Sequence, residues 1–200
     1  MFAVALVAGA MFTACGEDDP IDDNGGNNGG NEGGGDTPTV VEGINVTFGE
    51  ETWTAASDAA TQMISDPQRG NYAYIFGAKV AGAQEFPLVN ILAKAEVGTQ
   101  EATYVESTMA LDNQAIIICD YYKASALQNQ DGQQFGDYWA KSATWKVDAF
   151  DATAMKLTAT MNAVMFSAAD AYVQGGVGYE NADIQNMKVT LGNVVLTPAQ

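Results

Sequence analysis

From about residue 44 onward, apolar and polar side chains alternate with a period of two. In MKLTATMNAVM, Met155, Leu157, Ala159, Met161 and Ala163 share one side, and Lys156, Thr158, Thr160 and Asn162 share the other. Successive side chains of an extended strand point to opposite faces, so the pattern predicts a half-buried strand. GINVTF places Ile44, Val46 and Phe48 together. LVNILAKAEV does the same for Val89, Ile91, Ala93, Ala95 and Val97. NYAYIFGAKV sets Tyr72, Tyr74, Phe76, Ala78 and Val80 against smaller or polar neighbours, which predicts an inward face of aromatics. AIIICDYY is apolar on both faces and predicts a central strand, in which Cys119 is an inert buried thiol.

The punctuation between these runs supports strands too. DATA at 151–154 predicts a short hairpin loop between TWKVDAF and MKLTATM. NQDGQQFGD, around Asp131 and Gly132, predicts a longer loop. In NMKVTLGNVVLT the apolar parity changes from Met187, Val189 and Leu191 to Val194 and Leu196, which predicts a β-bulge at Gly192–Asn193. SDAATQMISD fits either a short helix capped by Ser57 or a strand, and Pro67 ends it in both cases. Many strands, no repeated helical segment and no internal repeat predict an all-β domain over residues 38–200. The expected form is an antiparallel two-sheet β-sandwich, with a lipocalin-like β-barrel as the alternative.

The first 37 residues have a different character. FAVALVAGAMF is apolar for about eleven residues, too short to span a bilayer, and has the length of a signal-peptide core. Thr13 and Ala14 are small and precede Cys15. The segment resembles the lipobox of bacterial lipoproteins. Phe12 stands where that family usually has Leu, and the first basic residue is Arg69, so a start upstream of Met1 is expected. Glu17, Asp18 and Asp19 follow the cysteine and resemble the export signal of Bacteroidetes surface lipoproteins. That resemblance implies a signal peptide over 1–14, lipidation of Cys15, and an outer-membrane protein facing the cell exterior. GEDDPIDDNGGNNGGNEGGGDTP is rich in Gly, Asn and acid, lacks the spacing of an EF-hand loop, and is expected to be a flexible tether over 15–37.

Charge and composition narrow the chemistry. The chain carries 25 acids, eight bases and no histidine, for a net charge of −17. Seven acids lie before residue 38, leaving the domain near −10. Such a surface repels phosphate backbones and argues against nucleic acid as a partner. It also favours a monomeric domain. Without histidine, Ser-His-Asp and Cys-His catalysis, H-E-x-x-H zinc sites and imidazole acid–base steps are excluded. No glycine-rich nucleotide motif occurs, and no cofactor or metal is expected.

Recognition chemistry rests on aromatics. Tyr121, Tyr122, Phe135, Tyr138 and Trp139 bracket the 123–137 loop. Tyr138 and Trp139 are adjacent, so a strand sends them to opposite faces, one free to stack on a sugar ring. The competing reading makes these aromatics strand-pairing and core residues, as for Trp53 and Trp145. The candidate ligand residues are Tyr138, Trp139, Tyr122 and Asp137. The expected function is a non-catalytic surface domain that binds a glycan or a protein. A structural subunit of a surface fibre, or a glycoside hydrolase built on two carboxylates, are the alternatives.

Overall fold

The structure, a computed structural model, describes residues 42–56, 58–80, 86–123, 127–128, 134–172 and 176–199. Cys15, Glu17, Asp18, Asp19 and the Asp131–Gly132 loop lie outside the described residues. The strands are β1 (Gly43–Phe48), β2 (Glu51–Thr54), β3 (Ala60–Asp66), β4 (Gly70–Ala78), β5 (Leu88–Lys94), β6 (Gly98–Val105), β7 (Ala110–Leu111) and β8 (Ile116–Tyr122). They continue with β9 (Leu127–Gln128), β10 (Gln134–Phe135), β11 (Tyr138–Asp151) and β12 (Lys156–Ser167). A single turn of helix, α1 (Ala168–Tyr172), precedes β13 (Ile184–Val195) and β14 (Thr197–Pro198).

The fold is all-β, as the alternation predicts. Hydrogen bonding does not divide the long strands into two sheets. They join in one sheet of order β14-β3-β4-β5-β8-β11-β12-β13-β1-β2, with β6 and β7 attached beside β11. The sheet is mixed, because β14 runs parallel to β3 while the other pairs are antiparallel. It is strongly curled. β13 continues through Leu196 into β14, so one chain segment pairs with β12 and then with β3 at the far edge. Thr61 and Thr197 tie that seam: Thr61 Oγ1 donates to the Val195 carbonyl at 2.7 Å, and Thr197 Oγ1 donates to the Thr61 carbonyl at 2.9 Å.

The concave side holds the main core. Ile44, Val46 and Phe48 point into it, as do Leu157, Ala159, Met161 and Ala163, with the parity that the sequence predicts. Trp145 is fully buried there, and its indole N–H donates to the Lys94 carbonyl at 2.7 Å. Trp53 and Cys119 are core residues as well, and burial pushes the Cys119 thiol up out of the reactive range.

Within SDAATQMISD, Ala60–Asp66 form β3, and the turn at Pro67 ends it; Ser57 lies outside the described residues. The β11–β12 hairpin turns at 152–155, where the Asp151 carboxylate accepts the backbone N–H groups of Thr153 and Ala154, both at 2.9 Å. These two bonds hold the Asp151 carboxyl below its usual range. The bulge lies at Gly192–Asn193: Leu157 pairs with Val194 and Ala159 with Leu191, so two residues of β13 face one of β12. Asn193 takes a left-handed conformation there, φ 51°.

The parity of β4 differs from expectation. In β4 the main core receives Ala73 and Ile75, while Tyr74 and Phe76 stay half-buried on the convex side. The convex side offers Phe76 apolar cover of its own, in the cluster of Ala78, Leu88 and Tyr122. Tyr72 is buried on that side too, its hydroxyl donating to the Gln114 carbonyl at 3.1 Å. Val80 and Val97 lie past the ends of β4 and β5 and are exposed.

Candidate functional site

Strand register builds a band across the convex side. Phe76 lies opposite Asn90, Asn90 opposite Asp120, Asp120 opposite Trp139, Trp139 opposite Phe166, and Phe166 opposite Ile184. Their chain neighbours Cys119 and Tyr121 point into the main core, which fixes Asp120 on the outer face. Directly opposed residues of antiparallel strands have Cβ atoms about 5 Å apart, so the members of this band are successive neighbours on one face.

One end of the band is an aromatic cluster. Fully buried Phe166 is its centre, with Tyr104 packed edge-on at 4.9 Å between ring centroids. Trp139 sits 5.9 Å from Phe166 and 5.6 Å from Tyr172. Tyr179 lies 5.1 Å from Tyr104. The chain brings Tyr172 over this surface by turning β12 into α1. Ser167 caps that turn, its Oγ accepting the Asp170 N–H at 3.2 Å. The Tyr104 and Tyr172 hydroxyls are hydrogen-bonded at 2.6 Å, and loss of water around Tyr104 drives its phenol strongly upward. Lys141 completes the rim with its ammonium 5.7 Å from the Tyr179 ring centroid, and it donates to the Glu180 carbonyl at 3.3 Å. Phe166 and Tyr104 are sealed, whereas Trp139, Tyr172 and Tyr179 keep part of their surface in solvent.

The middle of the band is polar. Burial pushes the Asp120 carboxyl up to about 7. The carboxyl therefore holds its proton more readily than a surface aspartate does. The Asn90 Oδ1 opposite it is buried without a hydrogen-bond donor among the described residues. Tyr122 borders the pair. Desolvation, and then the Asp120 charge, raise its phenol to about 12 against an opposing pull from the Asn90 amide.

The four predicted ligand residues separate. Tyr138 faces the main core and packs edge-on against Phe48 at 4.9 Å. Trp139 faces outward into the aromatic cluster, so the adjacent pair does point to opposite sides. Tyr122 is buried in a smaller convex-side cluster with Ala78 and Leu88. Asp137 serves the backbone, with its Oδ2 accepting the Lys123 N–H at 2.8 Å and its carbonyl accepting the Ala168 N–H at 2.9 Å. Tyr104, Phe166, Tyr172 and Tyr179 are the partners that sequence reasoning misses. They come from four segments, and only the outward parity of Phe166 in its strand hints at them; Tyr104 shares the parity of the core residue Ala102.

Farther along the same face, beside the aromatic end, lies an open groove of about 360 Å³ over β1, β13, β12 and β11. Val164 is the apolar side chain on its floor, while Ala143, Ala163 and Met187 line it with their side chains turned into the main core. Ser142, Thr144, Asn162, Asn186 and Lys188 rim it. A second groove of about 430 Å³ follows the seam between Gly192–Val195 and Ala55–Thr61. Among the described residues no three of His, Cys, Asp and Glu gather as a metal site. Comparison of the chain with protein-family models, curated sequences and solved structures returns no match.

Proposed function

We propose that this chain is a lipid-anchored protein of the outer-membrane exterior whose β domain is non-catalytic and binds glycan on its convex face. The anchoring half of this reading is supported by Cys15 at the end of an apolar run, with Glu17, Asp18 and Asp19 behind it. The binding half is supported by one observation above others: Trp139, Tyr172 and Tyr179 form a partly exposed aromatic platform directly beside the Asn90–Asp120 pair. Pyranose rings have apolar faces that stack on aromatic rings, and hydroxyl rims that need amide and carboxyl partners. Asp120 and Asn90 supply both kinds of polar group, one and two strand spacings from Trp139.

Purified residues 38–200 applied to an array of bacterial, plant and host glycans test this. The expected result is retention on a defined subset, weakened about tenfold, or 1.4 kcal/mol, by Trp139→Ala. Retention on none of the glycans contradicts the reading.

A further inference from the structure

The groove beside the aromatic platform carries more information about the ligand, on the footing that the domain binds glycan. The domain has eight basic residues in a strongly acidic surface. Among the described residues two of these eight, Lys79 and Lys146, form an ion pair with a carboxylate. Lys79 pairs with Glu51 at 2.7 Å, and Lys146 pairs with Asp148. Lys188 and Lys141 do not pair with a carboxylate among the described residues: Lys188 is exposed on the groove rim, and Lys141 rests on a tyrosine ring and a backbone carbonyl.

Register places both along one path. Lys188 lies opposite Asn162, and Asn162 opposite Thr144. The next row along the strands is Asn186, Val164 and Ser142, and Lys141 occupies the bulge between Ala140 and Ser142. The two lysines therefore come from strands two apart, about 10 Å across the sheet, with Lys188 lining the groove and the Lys141 ammonium at its aromatic end against Tyr179. Between them Ser142, Thr144, Asn162 and Asn186 make no side-chain hydrogen bond to protein among the described residues, so their polar groups are available to a ligand. Val164 gives the floor between them one apolar side chain. Acidic groups stand outside this path: Glu101 lies beyond Thr144 on β6, and Glu180 and Glu106 flank the tyrosines at the aromatic end.

We propose that this groove extends the platform into a site for an acidic polysaccharide, with Lys188 and Lys141 meeting the carboxylate or sulfate groups and Thr144, Asn162 and Asn186 meeting hydroxyls. The platform holds one sugar by stacking. The groove then selects for negative charge in the next units, although the protein as a whole is an anion. The net charge slows approach of such a ligand, while the local lysines decide whether it stays.

Two matched probe pairs test the proposal on the full-length protein in detergent: polygalacturonate against its methyl ester, and dextran sulfate against dextran. The expected result is that the charged member of at least one pair binds about fivefold or more tightly at roughly 50 mM salt, and that the margin collapses near 0.5 M as screening shortens to a few ångströms. Lys188→Gln should erase the margin while leaving the melting temperature unchanged, since the side chain is exposed. Equal binding of charged and neutral members, still weakened by Trp139→Ala, overturns the proposal and leaves glycan binding standing. A charge margin that survives Lys188→Gln and Lys141→Gln together also overturns it. No binding of these four probes or of any arrayed glycan overturns both.

Discussion

Phe48 on β1 and Tyr121 on β8 stack face to face, with ring centroids 3.8 Å apart and planes within 3°. β1 is next to last in the sheet order and β8 is in its middle, so this contact joins opposite walls of the curl. Trp53 lies beside the Tyr121 hydroxyl and opposes the upward push of desolvation on it, which leaves the phenol at about 12. At the geometry shown, neither the hydroxyl nor the Trp53 indole N–H completes a hydrogen bond. Phe48→Ala should therefore cost about 3–5 kcal/mol in chemical denaturation. Tyr121→Phe keeps the stack and removes an unsatisfied hydroxyl, so it should be neutral or slightly stabilising. A loss above about 1.5 kcal/mol for Tyr121→Phe would show that the hydroxyl is bonded after all.

Leu157→Asp should unfold the domain. Leu157 is fully buried in the main core, and an unpaired carboxylate there costs several kcal/mol, comparable to the roughly 5–15 kcal/mol stability of a domain. Thr158 points the other way and contacts the bulge, its Oγ1 accepting the Asn193 N–H at 3.3 Å. Thr158→Asp should cost only about 1 kcal/mol. Equal thermal melting of the two variants would overturn the β12 register.

Asp120 gives the domain a pH dependence of definite sign. Its folded pKa of about 7 lies above the ordinary 3.8, so the folded state holds the proton more tightly than the unfolded chain. The favourable contribution is complete below about pH 4, declines as pH rises, and is gone above about pH 7. Three pKa units correspond to about 4 kcal/mol, and partial solvent access reduces this. Asp120→Asn should stabilise the domain by about 1–3 kcal/mol at pH 8 and make no difference at pH 4. A constant difference between variant and parent across that range would assign the effect to packing instead.

The anchor is tested in the native host with its own start codon. Cys15→Ser should move the protein from membranes to soluble fractions, because acyl chains contribute about 0.8 kcal/mol per buried methylene. Replacing Glu17, Asp18 and Asp19 by Ala should keep it in membranes but shield it from protease added to intact cells. Unchanged protease sensitivity in the triple variant would reduce the acids to a solvated tether.

How much of this was legible in the chain depends on how local each determinant is. Leu157, Ala159 and Met161 alternate with polar residues, and their strand follows directly. The bulge is visible because Leu191 and Val194 differ in parity around a glycine. β4 misleads because both its faces are apolar: Tyr74 and Phe76 look like core until the convex side is known to bury aromatics as well. The curl itself is invisible in sequence, since its seam pairs Thr197 with Gln62, which no local pattern encodes. Trp139 could be picked out by its parity against Tyr138. Its platform could not, because Tyr104, Phe166, Tyr172 and Tyr179 meet only when β6, β12, α1 and the segment before β13 are brought together.

The chain's three tryptophans allow a direct measurement of glycan binding on the convex face. Trp53 and Trp145 are sealed in the main core, and Trp139 lies on the platform. In a ¹⁵N-labelled domain each contributes one indole N–H signal, assignable by Trp→Phe substitution. Titration with an oligosaccharide retained on the array should shift the Trp139 signal progressively and saturably, while the Trp53 and Trp145 signals stay fixed. Saturable binding that leaves the Trp139 signal unmoved would place the ligand elsewhere and contradict the account.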